Sequence, residues 1–539
     1  MFIVEEAKKK REFPHAYVII FAMIVLAAVA TWIVPSGEFS RDVRVVNGIE
    51  RCVIAPESYH TVERSPQTWQ VFTSVFRGME RTADIIFYIV IIGGAFWVLN
   101  DSRALDVSIV AFLGWARRLE RLRLLRWIGV DNLILTLIML CFSFFGAVIG
   151  MSEETIAFVV IFVPLAINMG YDSIVGVCLC FLAAGLGFAG ALLNPFTIGI
   201  AQGLAGIPLF SGLEYRLFIW LVVNVIGIGY VLRYANRVKR NPQLSPVYET
   251  DAYWRTKVAE SDSITGTPAG KSAWVVYGLV LVVLVAFAVN YPQTLLTVGH
   301  GQFTTHIIPI AAVLWVVIGG LSLRRSVQVF IVNLLLFTVL FLVVGVMGYG
   351  WYISQIASLF MAMGIAAGVA AGRRPNQLVR LFIAGMRDIV SAAIVVGLAS
   401  GIVVVLEEGK VIDTLLNASA QGMQGFGRVA SLGVMYVFYN LLNLIIASGS
   451  AKAALTIPLM SQLSDLIGIS RQTTVTVYQL GGGFTNMVSP TSGVMMGVLG
   501  MARIPYAKWL RWFMPLMLLL IAVGFLLLLP TLFLQLSGF

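Results

Sequence analysis

Residues 146–158 read GAVIGMSEETIAF, between the apolar runs LILTLIMLCFSFF (133–145) and VVIFVPLAI (159–167). Two adjacent acids, Glu153 and Glu154, thus interrupt an otherwise hydrophobic stretch. A charged carboxylate at the centre of a bilayer costs roughly 2.5–3.5 kcal/mol on insertion, so a lipid-facing position is unfavourable for either. If 131–149 and 155–170 form a re-entrant hairpin, the GMSEET tip (150–155) stops partway across the membrane and faces a cavity. There the acids become available to a cation, a proton or an ammonium group. In the competing reading, 131–149 spans the membrane and the glutamates cap helix 155–167 at its surface, where a helix N-terminus favours negative charge.

The rest of the chain fixes the solvent. Of its 539 residues 59% are hydrophobic and 12% charged, and the mean hydropathy is +0.89. A soluble chain would carry about twice that charge fraction. Many runs of roughly 18–25 apolar residues recur, each long enough to cross a ~30 Å hydrocarbon core. A polytopic helical membrane protein follows. The net charge of +10 is assigned to Lys and Arg collected on the cytoplasmic side rather than to nucleic-acid binding. KKKRE (Lys8 to Glu12) places the N-terminus inside, and the first span (16–35) lacks a signal-peptide cleavage site, so it is expected to be retained. A polar loop (36–70) and a second span follow, then a basic amphipathic interfacial helix (103–126). Residues 237–272 are polar and charged, the one clear linker, with four further spans expected near 273–290, 305–321, 327–347 and 349–371. Cys52, Cys141, Cys178 and Cys180, and the scattered His15, His60, His300 and His306, form no metal-ligand spacing, and no metal site is expected.

An internal repeat organises these spans. Residues 71–106 laid over 378–413 without a gap match Gly78-Met79 with Gly385-Met386, Gly94 with Gly401, Val98-Leu99 with Val405-Leu406, and Asp106 with Asp413. Each copy leads to a small polar tip, GMSEET (150–155) or ASGSAKAA (447–454). Each then reaches a second break, LLNPFT (192–197) or TNMVSPTS (485–492), and an Ile-Pro turn. By charge the first copy starts outside and the second inside, so the repeats are inverted. Inverted repeats with interrupted helices are the architecture of secondary transporters, because backbone leaves helical geometry at membrane depth only where protein or a watery cavity satisfies it.

The expected fold is therefore all-α and polytopic, with about 11 spans plus two re-entrant hairpins in two inverted-topology repeats with broken helices. The expected divisions are an anchor span and outer loop (1–70), a first repeat (71–236), the linker (237–272), connecting spans (273–377) and a second repeat (378–539).

The tips and breaks supply the candidate site. At the first tip these are Ser152, Glu153, Glu154 and Thr155. At the second, Ser448, Ser450 and Lys452 are candidates, since small hydroxyl residues and exposed amides at a helix start suit a carboxylate. Aligning Ser152 with Ser450 sets Lys452 opposite Glu154 and Gly468 opposite Gly170, so Lys452 either binds that carboxylate, pairs with a glutamate, or snorkels to an interface. Asn194 and Thr197 at the first break, and Asn486, Ser489, Thr491 and Ser492 at the second, offer partners for freed backbone or for substrate; Pro195 and Pro490 cause the interruptions. Asp84 and Asp388 are expected to cap helices at the interface, and Arg216 and Arg503 to be interfacial anchors. No His, Cys or metal partner accompanies the glutamates, so an enzyme is not expected. A channel would need a continuous polar path, whereas the polar residues cluster at the tips and breaks.

KREFPHAYVIIFAMIVLAAVATWIVPSGEFSR, GMSEET, GYDSIVG, LLNPFTIGIAQGLAGIP, SGSAKAALTIPLMSQLSDLIGISRQ and GGGFTNMVSPTSGVMMGVL resemble the YfcC-like transporters. These belong to the C4-dicarboxylate anaerobic carrier group of the ion transporter superfamily. The resemblance covers nearly the whole chain. It implies re-entrant hairpins, substrate held at their tips, elevator-type alternating access in the cell (inner) membrane, and a homodimer. Better-understood branches carry Ser-Asn-Thr at each tip, which this chain lacks. The resemblance divides between dicarboxylates and basic amino acids of arginine/ornithine type. Charge favours the latter, because two glutamates repel a dicarboxylate and suit an ammonium. The expectation is a secondary transporter of a small charged amino acid, with a C4-dicarboxylate carrier as the alternative. No cofactor is expected beyond Na+ or H+ as a coupling ion.

Overall fold

The computed structural model describes residues 16–46, 49–55, 58–104, 107, 129–148, 150–259, 267–298, 301–423 and 426–539. The KKKRE run and most of the basic 103–126 stretch, with the interfacial helix expected there, lie outside the described residues. Helices carry the fold. Among the described residues, eleven are long and apolar enough to cross a membrane, as an all-α polytopic membrane protein requires. The four connecting spans fall at Lys271–Asn290, Ile307–Arg325, Val327–Tyr349 and Ile353–Ala370. The described strands make three antiparallel pairs. Two of these, Gly37–Glu38 with His60–Thr61 and Arg41–Val46 with Ile49–Ile54, occupy the stretch expected as a polar loop.

Two series of elements run in the same order. Val130–Val148, a gap, Thr155–Asn168, Ser173–Gly190, a gap, Phe196–Ala205 and Leu213–Arg240 form the first. Arg428–Ile445, a gap, Gly449–Leu466, Arg471–Thr485, a gap, Gly493–Ala502 and Tyr506–Leu528 form the second. Matching backbone signals end the matching elements. Gly170 and Gly468 adopt left-handed φ of 84° and 69°, and each is followed by an amide that reaches back into the helix, Tyr171 N to Ala166 O and Ile469 N to Ser464 O. Such left-handed residues terminate helices by satisfying the last carbonyls. Gly206 and Arg503, at 69° and 58°, do the same before the two Ile-Pro turns.

Packing between the two halves of the chain is reciprocal. A Cβ on Gly78 would lie 2.6 Å from Gly401 N, and one on Gly385 would lie 2.9 Å from Gly94 Cα. The four glycines matched by the repeat thus meet crosswise, bringing Gln70–Arg81 and Ala83–Asp101 against the 34-residue helix Pro375–Glu408. The short helix after each gap likewise packs against the helix after the other tip, Ile200–Ala205 on Gly449–Leu466 and Gly493–Ala502 on Thr155–Asn168.

Ser173–Gly190, 89% buried, lies at the centre against Arg471–Thr485, whereas Lys271–Asn290, 17% buried, turns its apolar side chains outward. An apolar exterior around a polar-containing interior is what a hydrocarbon solvent selects. The stretch expected as a linker is docked over 241–259. Ser245 Oγ donates to Asp172 Oδ2 at 2.6 Å, Ser173 N donates to Asp251 Oδ2 at 2.9 Å, and Trp254 Nε1 donates to Ala502 O at 3.0 Å.

Candidate functional site

The two tips meet. A cavity of about 370 Å³ is lined by Ser152, Glu153 and Glu154 on one side and by Ser448, Gly449, Ser450 and Ala451 on the other. Gly150 lets the first tip turn: its φ is +72°, and a Cβ there would sit 2.6 Å from Asn194 Oδ1. Only glycine accepts both the left-handed backbone and the contact. Glu154 occupies the N-cap position of Thr155–Asn168, and its carboxylate turns back to accept from Ser152 N at 3.0 Å. The glutamates therefore stand at a helix N-terminus, as the surface-cap reading required, and they also line the cavity shared with the second tip. At the second tip Ser448 caps Gly449–Leu466, accepting from Ala451 N.

The breaks complete the walls. Phe196 and Thr197 line the cavity from the first, and Asn486, Thr491 and Ser492 from the second. Among the described residues Thr197 Oγ1 and Asn486 Oδ1 have no hydrogen-bond partner. Several candidates bond backbone groups at the tips and breaks. Asn194 is fully buried outside the lining, and its Oδ1 accepts from Phe196 N at 2.9 Å, holding the turn that Pro195 opens. Ser489 Oγ donates to Leu444 O at 3.1 Å, tying the second break to the end of Arg428–Ile445, and Thr491 donates to the same carbonyl. Thr155 donates to Ser152 O at 2.5 Å and is buried.

Lys452 departs from its expected place. It is 2% exposed, absent from the lining, and donates to Asn443 Oδ1. The offset that set it opposite Glu154 holds at the C-terminal glycines. It fails at the tips because the helices after them have 14 and 18 residues. The second helix starts one turn earlier, leaving Lys452 inside it and beneath the tip. Among the described residues it pairs with no carboxylate.

Charged and aromatic cavity residues that the sequence reading did not place there include Asp84, Arg81, Trp351 and Tyr352. Asp84 begins Ala83–Asp101, as a cap would, but it lines the cavity beside Arg81, which also pairs with Glu407. Trp351 and Tyr352 enter from the connecting spans, following the left-handed Gly350 that ends Val327–Tyr349. The WY pair after a glycine was the available signal. Asp388 is mid-helix rather than a cap, and pairs with Arg503 at 2.5 Å. Arg216, expected as an anchor, is 1% exposed and donates to the carbonyls of Ala191, Leu192, Phe210 and Ser211.

Residues 13–532 match the model of the DcuC family, the C4-dicarboxylate anaerobic carriers. The chain belongs to that family. It is a transporter of the DcuC family and a multi-pass membrane protein. It is 32% identical over 95% of both chains to the Escherichia coli K12 protein named "Putative basic amino acid antiporter YfcC". It is also 26% identical to an uncharacterized Haemophilus influenzae protein, over 97% of this chain and 98% of that one. Among solved structures it is similar to the Alcanivorax borkumensis YdaH transporter (18% identity, TM-score 0.36, 96% and 97% covered). It is likewise similar to Neisseria gonorrhoeae MtrF (15%, 0.38, 97% and 96%). Neither similarity is close enough to carry a site across. In this family member, the acidic side of the cavity and its small hydroxyl-and-amide side face one another across a volume suited to a small solute.

Proposed function

We propose that the protein is a secondary transporter exchanging a small basic amino acid of arginine/ornithine type. The observation that carries this is the single cavity shared by both tips. Asp84, Glu153 and Glu154 offer three carboxylates to an ammonium and a second cationic group. The start of Gly449–Leu466, with Ser448 and Ser450, offers hydroxyls and helix-terminal amides to a carboxylate. The name of the E. coli relative points the same way. A C4-dicarboxylate is the second reading, favoured by the family description and by Arg81 on the wall.

The same proposal includes inverted repeats with re-entrant tips, supported by the matched element order and crosswise glycine contacts that a pseudo-twofold axis produces. It includes elevator-type movement, a homodimer, and a cytoplasmic N-terminus in an inner membrane. Na+ or H+ is the proposed coupling ion for any net transport.

Counterflow in proteoliposomes loaded with arginine, ornithine or succinate tests the substrate. Uptake of labelled arginine into ornithine-loaded vesicles, reduced at least ~10-fold by Glu153→Gln or Glu154→Gln (about 1.4 kcal/mol), is expected. Exchange of succinate alone would establish the second reading. Wild-type flux in both variants would remove the first tip from transport.

A further inference from the structure

Lys452 poses a problem that the tip cavity does not solve. It lies in the first turn of Gly449–Leu466, where the helix dipole disfavours a cation, and it is buried. Neither helix stability nor burial explains a lysine there. Its surroundings do. Nζ donates to Asn443 Oδ1 and stands 5.2 Å from the centroid of the Tyr478 ring. Asn443 belongs to the last turn of Arg428–Ile445, so the ammonium meets the negative end of that second helix, an opposing and favourable field. An aromatic face attracts a cation in the same way.

The space is made for Nζ. A Cβ on Gly482 would lie 2.1 Å from it, so any larger residue would displace the ammonium. Lys452, Asn443, Tyr478 and Gly482 share a cavity of about 10 Å³ with Gln479 and Asn486, room for about one water. Among the described residues Gln479 Oε1 and Asn486 Oδ1 have no hydrogen-bond partner, and Gln479 is 3% exposed. Buried oxygens left without a donor beside a helix C-terminus favour a positive charge nearby, and Lys452 Nζ, bonded to Asn443 Oδ1, lines the same cavity. The cavity also reaches Gly449 and Ala447 of the second tip.

We propose that Lys452 is a tethered cation. Its ammonium stands at the edge of a small oxygen-lined cavity beneath the second tip and supplies the positive charge a freely exchanging coupling ion would bring there, so exchange proceeds without Na+. This rests on the reading of the tips as the substrate site but makes a separate claim, about which ion holds the second tip.

Thermal unfolding of the purified protein in NaCl, methylammonium chloride and choline chloride at equal ionic strength tests this without any substrate. Wild type is expected to melt at one temperature in all three. Lys452→Ala removes the ammonium and should melt lower in choline, then recover by at least ~2 °C in Na+ or methylammonium. Lys452→Met fills the space without charge and should show no such recovery. Identical melting of Lys452→Ala in every salt overturns the proposal, as does stabilisation of wild type by Na+ over choline. If Lys452→Ala cannot be purified folded, arginine/ornithine counterflow by wild type in choline decides: undiminished flux supports the tethered cation, and a requirement for Na+ overturns it. Loss of the arginine reading alone would leave the melting results standing.

Discussion

At the scale of single residues, burial separates groups that hold backbone from groups that face substrate. Arg216 is the clearest of the first kind. The first broken helix frees carbonyls at Ala191 and Leu192, and the turn before Leu213 frees those of Phe210 and Ser211. A planar fork of five donors reaches all four, which no other side chain can do. Arg216→Met keeps much of the volume but orphans these acceptors, at a cost on the order of 3 kcal/mol or more. Lysine should recover only part of it. Denaturation of the purified variants measures this, and wild-type stability in Arg216→Met would deny the guanidinium its role. Glu153 and Glu154 are proposed to be of the second kind: both line the cavity shared by the two tips.

At the scale of elements, the segment 241–259 works as a brace between the two series. It reaches Asp172 and Ser173 at the start of one buried helix and Ala502 at the end of a short helix of the other. Burial pushes the Asp251 carboxyl up to about 6, and it raises Asp172 as well. An acid whose folded pKa exceeds its unfolded value of 3.8 binds protons more readily when folded. Its contribution is therefore most favourable below about pH 4 and declines as pH rises to about 6, beyond which the full penalty remains. Asp251→Asn keeps an acceptor for Ser173 N and removes the titration. Relative to wild type it should gain on the order of 2–3 kcal/mol between pH 4 and pH 7, read as melting temperatures that diverge across that window. Parallel profiles would show that Asp251 does not titrate there.

At the scale of the molecule, elevator movement requires contacts that break and remake between its two groups of helices. Asp388 on Pro375–Glu408 and Arg503 at the end of Gly493–Ala502 make one such contact. Asp388→Cys with Arg503→Cys, in a background without the four native cysteines, should lose exchange when joined by a short bis-thiol reagent. Untreated protein should retain it, and full flux in the joined protein would place both residues in one rigid unit. Much of this architecture was legible in the chain. Runs of apolar residues recurring at span length dictate helices, and interruptions such as GMSEET, LLNPFT, SGSAK and NMVSPTS mark where backbone leaves them, because hydrocarbon tolerates nothing else. Those are local constraints, and sequence by itself determined them. Tertiary structure decided where the side chains ended up. One extra turn after the second tip drew Lys452 away from the glutamates and to the edge of a smaller cavity. The meeting of distant helices brought Asp84 and Tyr352 to the cavity, and burial turned Arg216 from an apparent surface anchor into a backbone clamp. Each depends on which segments pack together, and no stretch of sequence carries that information alone.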